Sequence, residues 1–294
     1  MKKFILWCAK ILPDKVYLHF IYIYHMHRIL NLRNPKTYNE KLQWLKLHDR
    51  KELYTTLVDK SAVKEYVTKK IGKEYVIPNI GIWENVQDID YSLFPQKFVI
   101  KCTHNSGTGM YICKNKEVAN FEEINKRLEI GLKEDYYKYL REWPYKNVPH
   151  KIIAEEYIEN NADESLNDYK VLCFNGVPKL IQLNMGRFTD KQTQDYYDID
   201  WNKTNITQNC CSGFGASQKL TPKPKNLDRM LELSSILSKD IPCLRVDWYS
   251  IEDKLYFGEM TFFDGSGLDG FDDYNDDSLL GSWIDLSLVK QEAK

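Results

Sequence analysis

Arg245-Val-Asp-Trp-Tyr249 runs through Ser250-Ile-Glu-Asp-Lys254 into Tyr256-Phe-Gly-Glu-Met-Thr261. The two flanks read as short strands and the middle as their turn. Folding them back on each other brings Asp247 and Glu259 to the same end of a hairpin. Paired hard oxygen ligands suit Mg²⁺, which binds through one or two carboxylates and the phosphates of a nucleotide. Arg245 lies two residues before Asp247, so on a strand it shares the face of that carboxylate. An acid pair with a cation beside it is what phosphoryl and acyl-phosphate chemistry requires.

Working outward from this hairpin, the pattern predicts a helix over 227–240 and a loop over 202–226, where Gly213, Gly215, Pro222 and Pro224 fall. Strands are expected at 169–174 and 179–183, joined by the strong hairpin turn Asn175-Gly176. Further strands are expected at 98–102, 110–113 and 152–158, with a polar loop over 103–109 and a long helix over 121–140. Residues 1–50 read as helical. Thr37-Tyr-Asn-Glu40 is a capping box opening a helix to about Asp49. Another helix is expected over 59–71, stopped by Gly72. Residues 16–30 are apolar and aromatic: a helix buried against the body, or an interfacial helix that docks on a membrane. The sum is mixed α+β with largely antiparallel strands.

The composition narrows the class. At 294 residues with 43% hydrophobic content the chain is long and apolar enough for a substantial core, which excludes bulk disorder. The net charge of -1 and pI near 6.6 argue against a dedicated nucleic-acid binder. The seven cysteines are odd in number and contain no C-x-x-C pair, so the expected setting is a reducing cytoplasm rather than a disulfide framework or zinc site. Met1 to Cys8 superficially resembles a lipoprotein signal, but Trp7 is too large for the cleavage site and Lys10 interrupts the apolar run. No uncharged apolar stretch reaches membrane-spanning length.

Three further constellations carry chemistry. Lys101 ends a strand and Thr103-His-Asn-Ser-Gly-Thr-Gly109 follows, a loop of small and hydroxyl residues that lets backbone N–H groups approach phosphate oxygens. Taken alone, it reads first as an ordinary hairpin turn. Glu155-Glu-Tyr-Ile158 sets two carboxylates beside an apolar edge, which in isolation is an edge strand with solvated acids. Asp59-Lys60 opens a helix, with Asp59 as an N-cap if it has no other role.

The succession of these pieces changes their weight. Asp59-Lys60, the strand lysine with its glycine loop, the Glu-Glu-Tyr-Ile strand, Asp168-Tyr-Lys170 and the Arg-x-Asp…Gly-Glu-x-Thr hairpin follow the order of the ATP-grasp superfamily. Asn34-Pro-x-Thr-Tyr-Asn-Glu-Lys41, Lys101-Cys-Thr-His-Asn-Ser-Gly107 and Arg245-Val-Asp…Phe-Gly-Glu-Met-Thr-Phe262 resemble more closely the TupA-like ATP-grasp proteins, found among bacterial teichuronopeptide and surface-polysaccharide genes. The resemblance covers roughly residues 30–275.

That resemblance implies an ATP-grasp fold, with two α+β lobes whose antiparallel sheets clamp ATP, preceded by N-terminal helices. The implied organisation is an N-terminal helical segment (1–50), the start of the substrate lobe (51–95), a small lobe with the glycine loop (96–160) and a C-terminal lobe with the metal hairpin (161–294). Lys60 and Lys101 would contact ATP phosphates and the adenine edge. Ser106, Gly107 and Gly109 would close over the phosphates. Glu155, its neighbour Glu156 and the backbone of Tyr157 and Ile158 would read the adenine, with Asp163 or Glu164 at the ribose. Asp247 and Glu259 would bind one or two Mg²⁺ ions. Thr261 stands where related ligases carry Asn or Asp, a weaker ligand for the second ion, for which Asp264 is the alternative oxygen. Arg245 falls where related ligases stabilise the tetrahedral intermediate. Lys170 and Arg187 would suit the acyl phosphate or acceptor carboxylate. His104 in the glycine loop is placed to take a proton, or equally to hydrogen-bond the loop backbone.

The implied reaction is carboxylate–amine ligation through an acyl phosphate. It would join an amino acid or amino sugar to a uronic acid, free, activated or lipid-linked, in capsule or surface-polysaccharide synthesis. The setting is cytoplasmic, at the inner face of the membrane if residues 4–30 engage a membrane or glycan-assembly partner. The competing readings are a sugar kinase, a glycosyltransferase-type enzyme and a non-catalytic assembly protein.

Overall fold

The capping box forms as the sequence predicts. Thr37 Oγ1 accepts from the Glu40 N–H and Glu40 Oε2 from the Thr37 N–H, both at 3.3 Å. The computed structural model describes residues 11–159, 166–187, 189–209 and 214–289. Asp163, Glu164 and the first ten residues, which entered the sequence reading, lie outside that set. Helix α1 (Asp14–Met26) buries Tyr17, Leu18, Ile21 and Tyr22, while Val16 and Ile23 on its other face are exposed. Helix α2 (Tyr38–His48) follows the box and ends at Asp49.

Helix α3 (Glu52–Val58) has no sequence signal strong enough to announce it. It is one reason the expected 59–71 helix starts late, as α4 (Ala62–Ile71). Asp59 closes α3, and its carboxylate accepts from the Ser61 N–H and hydroxyl at 2.8 and 2.7 Å. This turn competes with the expected N-cap. Strands β1 (Asn79–Trp83), β2 (Phe98–Cys102), β3 (Met110–Cys113) and β4 (Ile152–Glu156) form an antiparallel sheet in the order β1-β4-β2-β3. β4 stops at Glu156 rather than Ile158. The expected 121–140 helix is two: α5 (Phe121–Leu132) and α6 (Tyr136–Leu140). The break falls where Asp135 accepts from the Lys138 N–H at 3.1 Å and starts a new helix. Phe98, Ile100, Cys102, Ile124, Leu128, Ile152 and Ala154 pack into one core. Lys101 points to the other face, as the period-2 alternation of β2 requires.

Strands β5 (Asp168–Phe174), β6 (Val177–Met185), β7 (Thr193–Tyr197), β9 (Cys243–Ile251) and β10 (Lys254–Thr261) form a second antiparallel sheet, β10-β9-β5-β6-β7. Asn175 and Gly176, at φ 52° and 81°, make the expected two-residue turn between β5 and β6. β7 lies in a stretch that the pattern left unassigned. The β9–β10 turn is also tighter than expected: Ile251 pairs with Lys254, and Glu252 takes φ 54°. Helix α7 (Leu227–Leu237) covers one face, burying Leu227, Met230, Leu233 and Leu237. Trp248, fully buried, donates to Ser234 Oγ of α7 at 2.8 Å. Each apolar side chain sealed here contributes about 1.5–3 kcal/mol. Residues 202–226 are largely irregular, apart from β8 (Gln208–Asn209), which pairs with β11 (Gly270–Phe271). Helix α8 (Tyr274–Ser282) packs on α2.

The chain divides into two compact units, Met1–Arg50 with Asn160–Lys294, and Lys51–Glu159. The N-terminal helices therefore belong with the second sheet, and segments 51–95 and 96–160 share a unit except for residue 160.

Candidate functional site

The charged face of the second sheet is set by register. Asp247 on β9 pairs with Lys170 on β5, and Asp168 pairs with Tyr249. Residues two apart share a face, so Asp168, Lys170, Arg245, Asp247 and Tyr249 lie on the side opposite Trp248. Glu259 joins them by a backbone irregularity. Phe257 pairs with Trp248 and Met260 with Val246, so Gly258 and Glu259 together oppose Asp247. In an unbroken ladder Glu259 would pair with Val246 and point to the apolar face. The bulge turns it to the face of Asp247. The two carboxylates meet within the paired strands, not at a hairpin end as the sequence reading placed them.

Arg245 is the hub. Its Nε and Nη2 reach Asp247 Oδ1 and Oδ2 at 2.7 and 2.8 Å, Nη2 reaches Glu259 Oε1 at 3.1 Å, and Nη1 donates to Asp264. Lys170 donates to Asp247 Oδ2 and lies 3.0 Å from Asp168 Oδ2, which Arg187 also holds at 2.8 Å. Arg187 reaches the Tyr249 hydroxyl at 3.4 Å. Four carboxylates thus interleave with three cations. Burial alone would raise the Asp247 carboxyl, but Arg245 and Lys170 outweigh it and hold it below its ordinary range. Burial opposes the charge on Arg245 too, yet Asp247 and Asp264 keep it firmly protonated. Glu259 is the most open of the acids, 46% exposed against 4% for Asp247. Thr261 pairs with Arg245 across the hairpin.

Among the described residues no group of three or more His, Cys, Asp and Glu side chains is arranged to hold a metal by itself. The bulge nonetheless puts two hard-oxygen donors, Asp247 and Glu259, on one face and around one arginine. That donor set fits Mg²⁺, which takes its remaining ligands from phosphate and water.

The other unit gathers a second group. Glu155 on β4 is diagonal to Lys101 on β2, on one face of the sheet. Lys101 pairs with Glu155 Oε2 and Lys64, from α4, with Oε1. Burial would raise the Glu155 carboxyl, but the two lysines overcome it and keep it low. Lys60 donates to the Asn105 carbonyl, and its own N–H reaches the Thr103 carbonyl at 3.2 Å, so it flanks the glycine loop. Ser106 and Gly107 are exposed at the crest of that loop. A Cβ on Gly107 would meet nothing within 4 Å, whereas one on Gly109 would lie 2.7 Å from Cys102 Sγ and 3.0 Å from Gly131 Cα. Gly109 anchors the loop on α5; Gly107 leaves its crest open. His104 is 1% exposed, stacked on His150 at 3.6 Å. Burial, then His150, pulls its pKa down to about 4. Glu156 is exposed at the end of β4, and Tyr157 and Ile158 follow half-buried.

The sequence reading did not single out Lys64 or Tyr249, and it quoted Asp168 without a role. Asp168 was signalled by its two-residue spacing from Lys170. Lys64 had only a four-residue spacing from Lys60 to mark it.

A family model described as TupA-like ATPgrasp matches residues 40–285. Among solved structures, D-alanine–D-alanine ligase from Bacillus anthracis, complexed with ATP, is 15% identical with a TM-score of 0.41, over 70% of this chain and 54% of the ligase. The D-alanine–D-alanine ligase from Helicobacter pylori is 15% identical with a TM-score of 0.45, over 86% of this chain and 70% of the ligase. A D-cycloserine synthetase is 12% identical with a TM-score of 0.38, over 81% and 68%. The chain thus spans about half the length of the first of these, 54%. No curated protein matches the sequence.

Proposed function

The chain belongs to the TupA-like ATP-grasp family and has its α+β fold with two antiparallel sheets, and from that premise we propose that it is an ATP-dependent carboxylate–amine ligase. The observation that carries this reading is the bulged hairpin, which turns Glu259 to Asp247 with Arg245 between them and Lys170 alongside.

In this reading a carboxylate oxygen of the first substrate attacks the γ-phosphorus of ATP. ADP leaves and an acyl phosphate remains. The amine of the second substrate attacks the acyl carbon, the carbonyl becomes an oxyanion, phosphate departs and nitrogen releases its proton to give an amide. Lys101 and Lys60 attract the phosphates, and Ser106, Gly107 and Gly109 shape the loop that covers them. Glu155, Glu156 and the Tyr157–Ile158 backbone border the adenine. Lys170 and Arg187 hold the acyl phosphate, and Arg245 donates to the oxyanion. Asp247 and Glu259, helped by Thr261 or Asp264, would hold Mg²⁺, which when bound offsets phosphate charge. We assign His104 to packing beneath the loop rather than to proton transfer, because its burial disfavours the protonated ring.

For substrates we propose a uronic acid of a surface-polysaccharide precursor and an amino acid or amino sugar, as family membership suggests. We propose a cytoplasmic setting for it, where ATP is supplied. No described helix is long and apolar enough to cross a membrane. The test is ADP release from Mg-ATP with uronic acid glycosides and pooled amino acids, products being read by mass spectrometry. We expect ADP release to require both partners and to yield an amide. Asp247→Asn and Glu259→Gln should each lose on the order of 100-fold or more. A phosphosugar formed without any amine would reject the ligase in favour of a kinase.

A further inference from the structure

Lys64 lies beside the residues proposed above to hold the nucleotide, yet nothing above gives it a task. Its ammonium has three N–H groups. One meets Glu155 Oε1, one the Ile77 carbonyl at 2.7 Å and one Asn79 Oδ1. All three are used, and the side chain is only 11% exposed. Lys64 is locked in place. Lys101 is different. Among the described residues its one ion-pair partner is Glu155, through Oε2, and its side chain is 21% exposed. It keeps donors to spare and a path to solvent. Between them lies a carboxylate with 6% of its side chain exposed. An ionised group so buried is tolerated only while it is paired.

We propose that Lys64 is a positioning residue whose task is to neutralise Glu155, so that Lys101 can turn to the phosphates of ATP without stranding a buried carboxylate. The inference rests on the nucleotide reading given above. With Lys64 gone, Glu155 has Lys101 alone, and every contact that Lys101 makes with a phosphate is made against that attraction. Where Glu155 carries no charge, Lys101 is released with or without Lys64. In a Glu155→Gln background the loss of Lys64 should therefore cost little further binding, which a merely structural role for Lys64 does not predict.

The experiment is a calorimetric titration of the full chain with Mg-ATP, for the wild type, Lys64→Met, Lys64→Arg, Glu155→Gln and the double variant Lys64→Met/Glu155→Gln. We expect Lys64→Met to bind at least tenfold more weakly. Lys64→Arg should stay within threefold of the wild type, and the double variant within threefold of Glu155→Gln, since any loss at the adenine is common to those two. A double variant more than threefold weaker than Glu155→Gln overturns the proposal, as does Lys64→Met binding within threefold of wild type. Thermal melts show whether each variant folds. If Lys64→Met does not, the double variant, which has no unpaired buried carboxylate, decides against Glu155→Gln: binding within threefold of that variant supports the proposal, and weaker binding overturns it. A folded wild type that fails to bind Mg-ATP rejects the nucleotide reading itself, and the inference falls with it.

Discussion

His104 shows how one buried side chain ties the candidate site to pH. In the folded chain its pKa is pulled from 6.5 down to about 4 by burial and then by the stacked His150. The unfolded chain therefore takes up a proton near 6.5 that the folded chain refuses until about 4. Between those values acid favours unfolding, so the contribution is full above the upper value and falls as pH drops toward the lower one. The slope should amount to about 3 kcal/mol over that window. Urea unfolding between pH 7 and 4 checks it. His104→Phe, which keeps a ring against His150 but cannot titrate, should flatten the curve, and an unchanged slope would refute the assignment. Asp247 acts in the same direction at lower pH. Its depressed pKa gives stability above the ordinary carboxylate range, lost only as pH falls through the folded value. At this scale the sequence was informative about residue type and silent about burial. His104 reads as a loop histidine, and only tertiary packing of the loop on Gly131 and Lys151 puts it out of reach of water.

At the scale of elements, the glycine loop separates into two kinds of glycine. Gly109 has φ 71° and Gly107 φ 85°, both in the left-handed region. Replacing either with Ala costs about 1–2 kcal/mol of backbone strain. Gly109 also has Cys102 Sγ 2.7 Å from where its Cβ would stand, and Gly131 Cα 3.0 Å away. Gly109→Ala should therefore destabilise by about 2–4 kcal/mol, overpacking added. Gly107→Ala, with open space around it, should cost only the backbone share. Denaturant midpoints of the two variants give the comparison, and equal losses would contradict it. The β9–β10 hairpin teaches a related lesson. Strands, turn and both acids were legible from pattern. The bulge at Gly258 and Glu259 was not, because a period-2 count has no term for an extra residue, and that extra residue is what turns Glu259 to Asp247.

At the scale of the molecule, the N-terminal helices are integral to the unit that carries the acids. Gln43 donates to the carbonyls of Ser266 and Gly267 at 2.9 and 2.7 Å, and buried Lys46 donates to the Ser266 carbonyl and hydroxyl at 2.8 Å. These contacts hold the turn that begins at Asp264, the acid bracing Arg245. One turn earlier on the same face of α2, Asn39 meets Asp277 of α8 at 3.0 and 3.1 Å. Gly281 of α8 lies so close to the start of α2 that an added Cβ would collide with the Lys36 carbonyl and stand 2.6 Å from Thr37 C and 2.7 Å from Tyr38 N. Those atoms are backbone and cannot swing aside. Gly281→Ala should cost about 2–4 kcal/mol. A thermal melt indistinguishable from wild type would show that α2 and α8 are not packed this way.

The sequence by itself determined the α+β class, most strands and the N-terminal capping box. It also determined the family, through the order of Lys101, the glycine loop, Glu155 and the Arg245–Glu259 hairpin. These rest on local periodicity, turn chemistry and motif order, which a linear chain records directly. Tertiary structure decided that helices α1 and α2 belong to the unit of the C-terminal sheet, that Glu259 faces Asp247, and that Glu155 is clasped by two lysines. Each of these pairs groups distant in the chain or hinges on a single inserted residue. Their energy comes from burial and charge compensation among side chains that only the folded chain brings together.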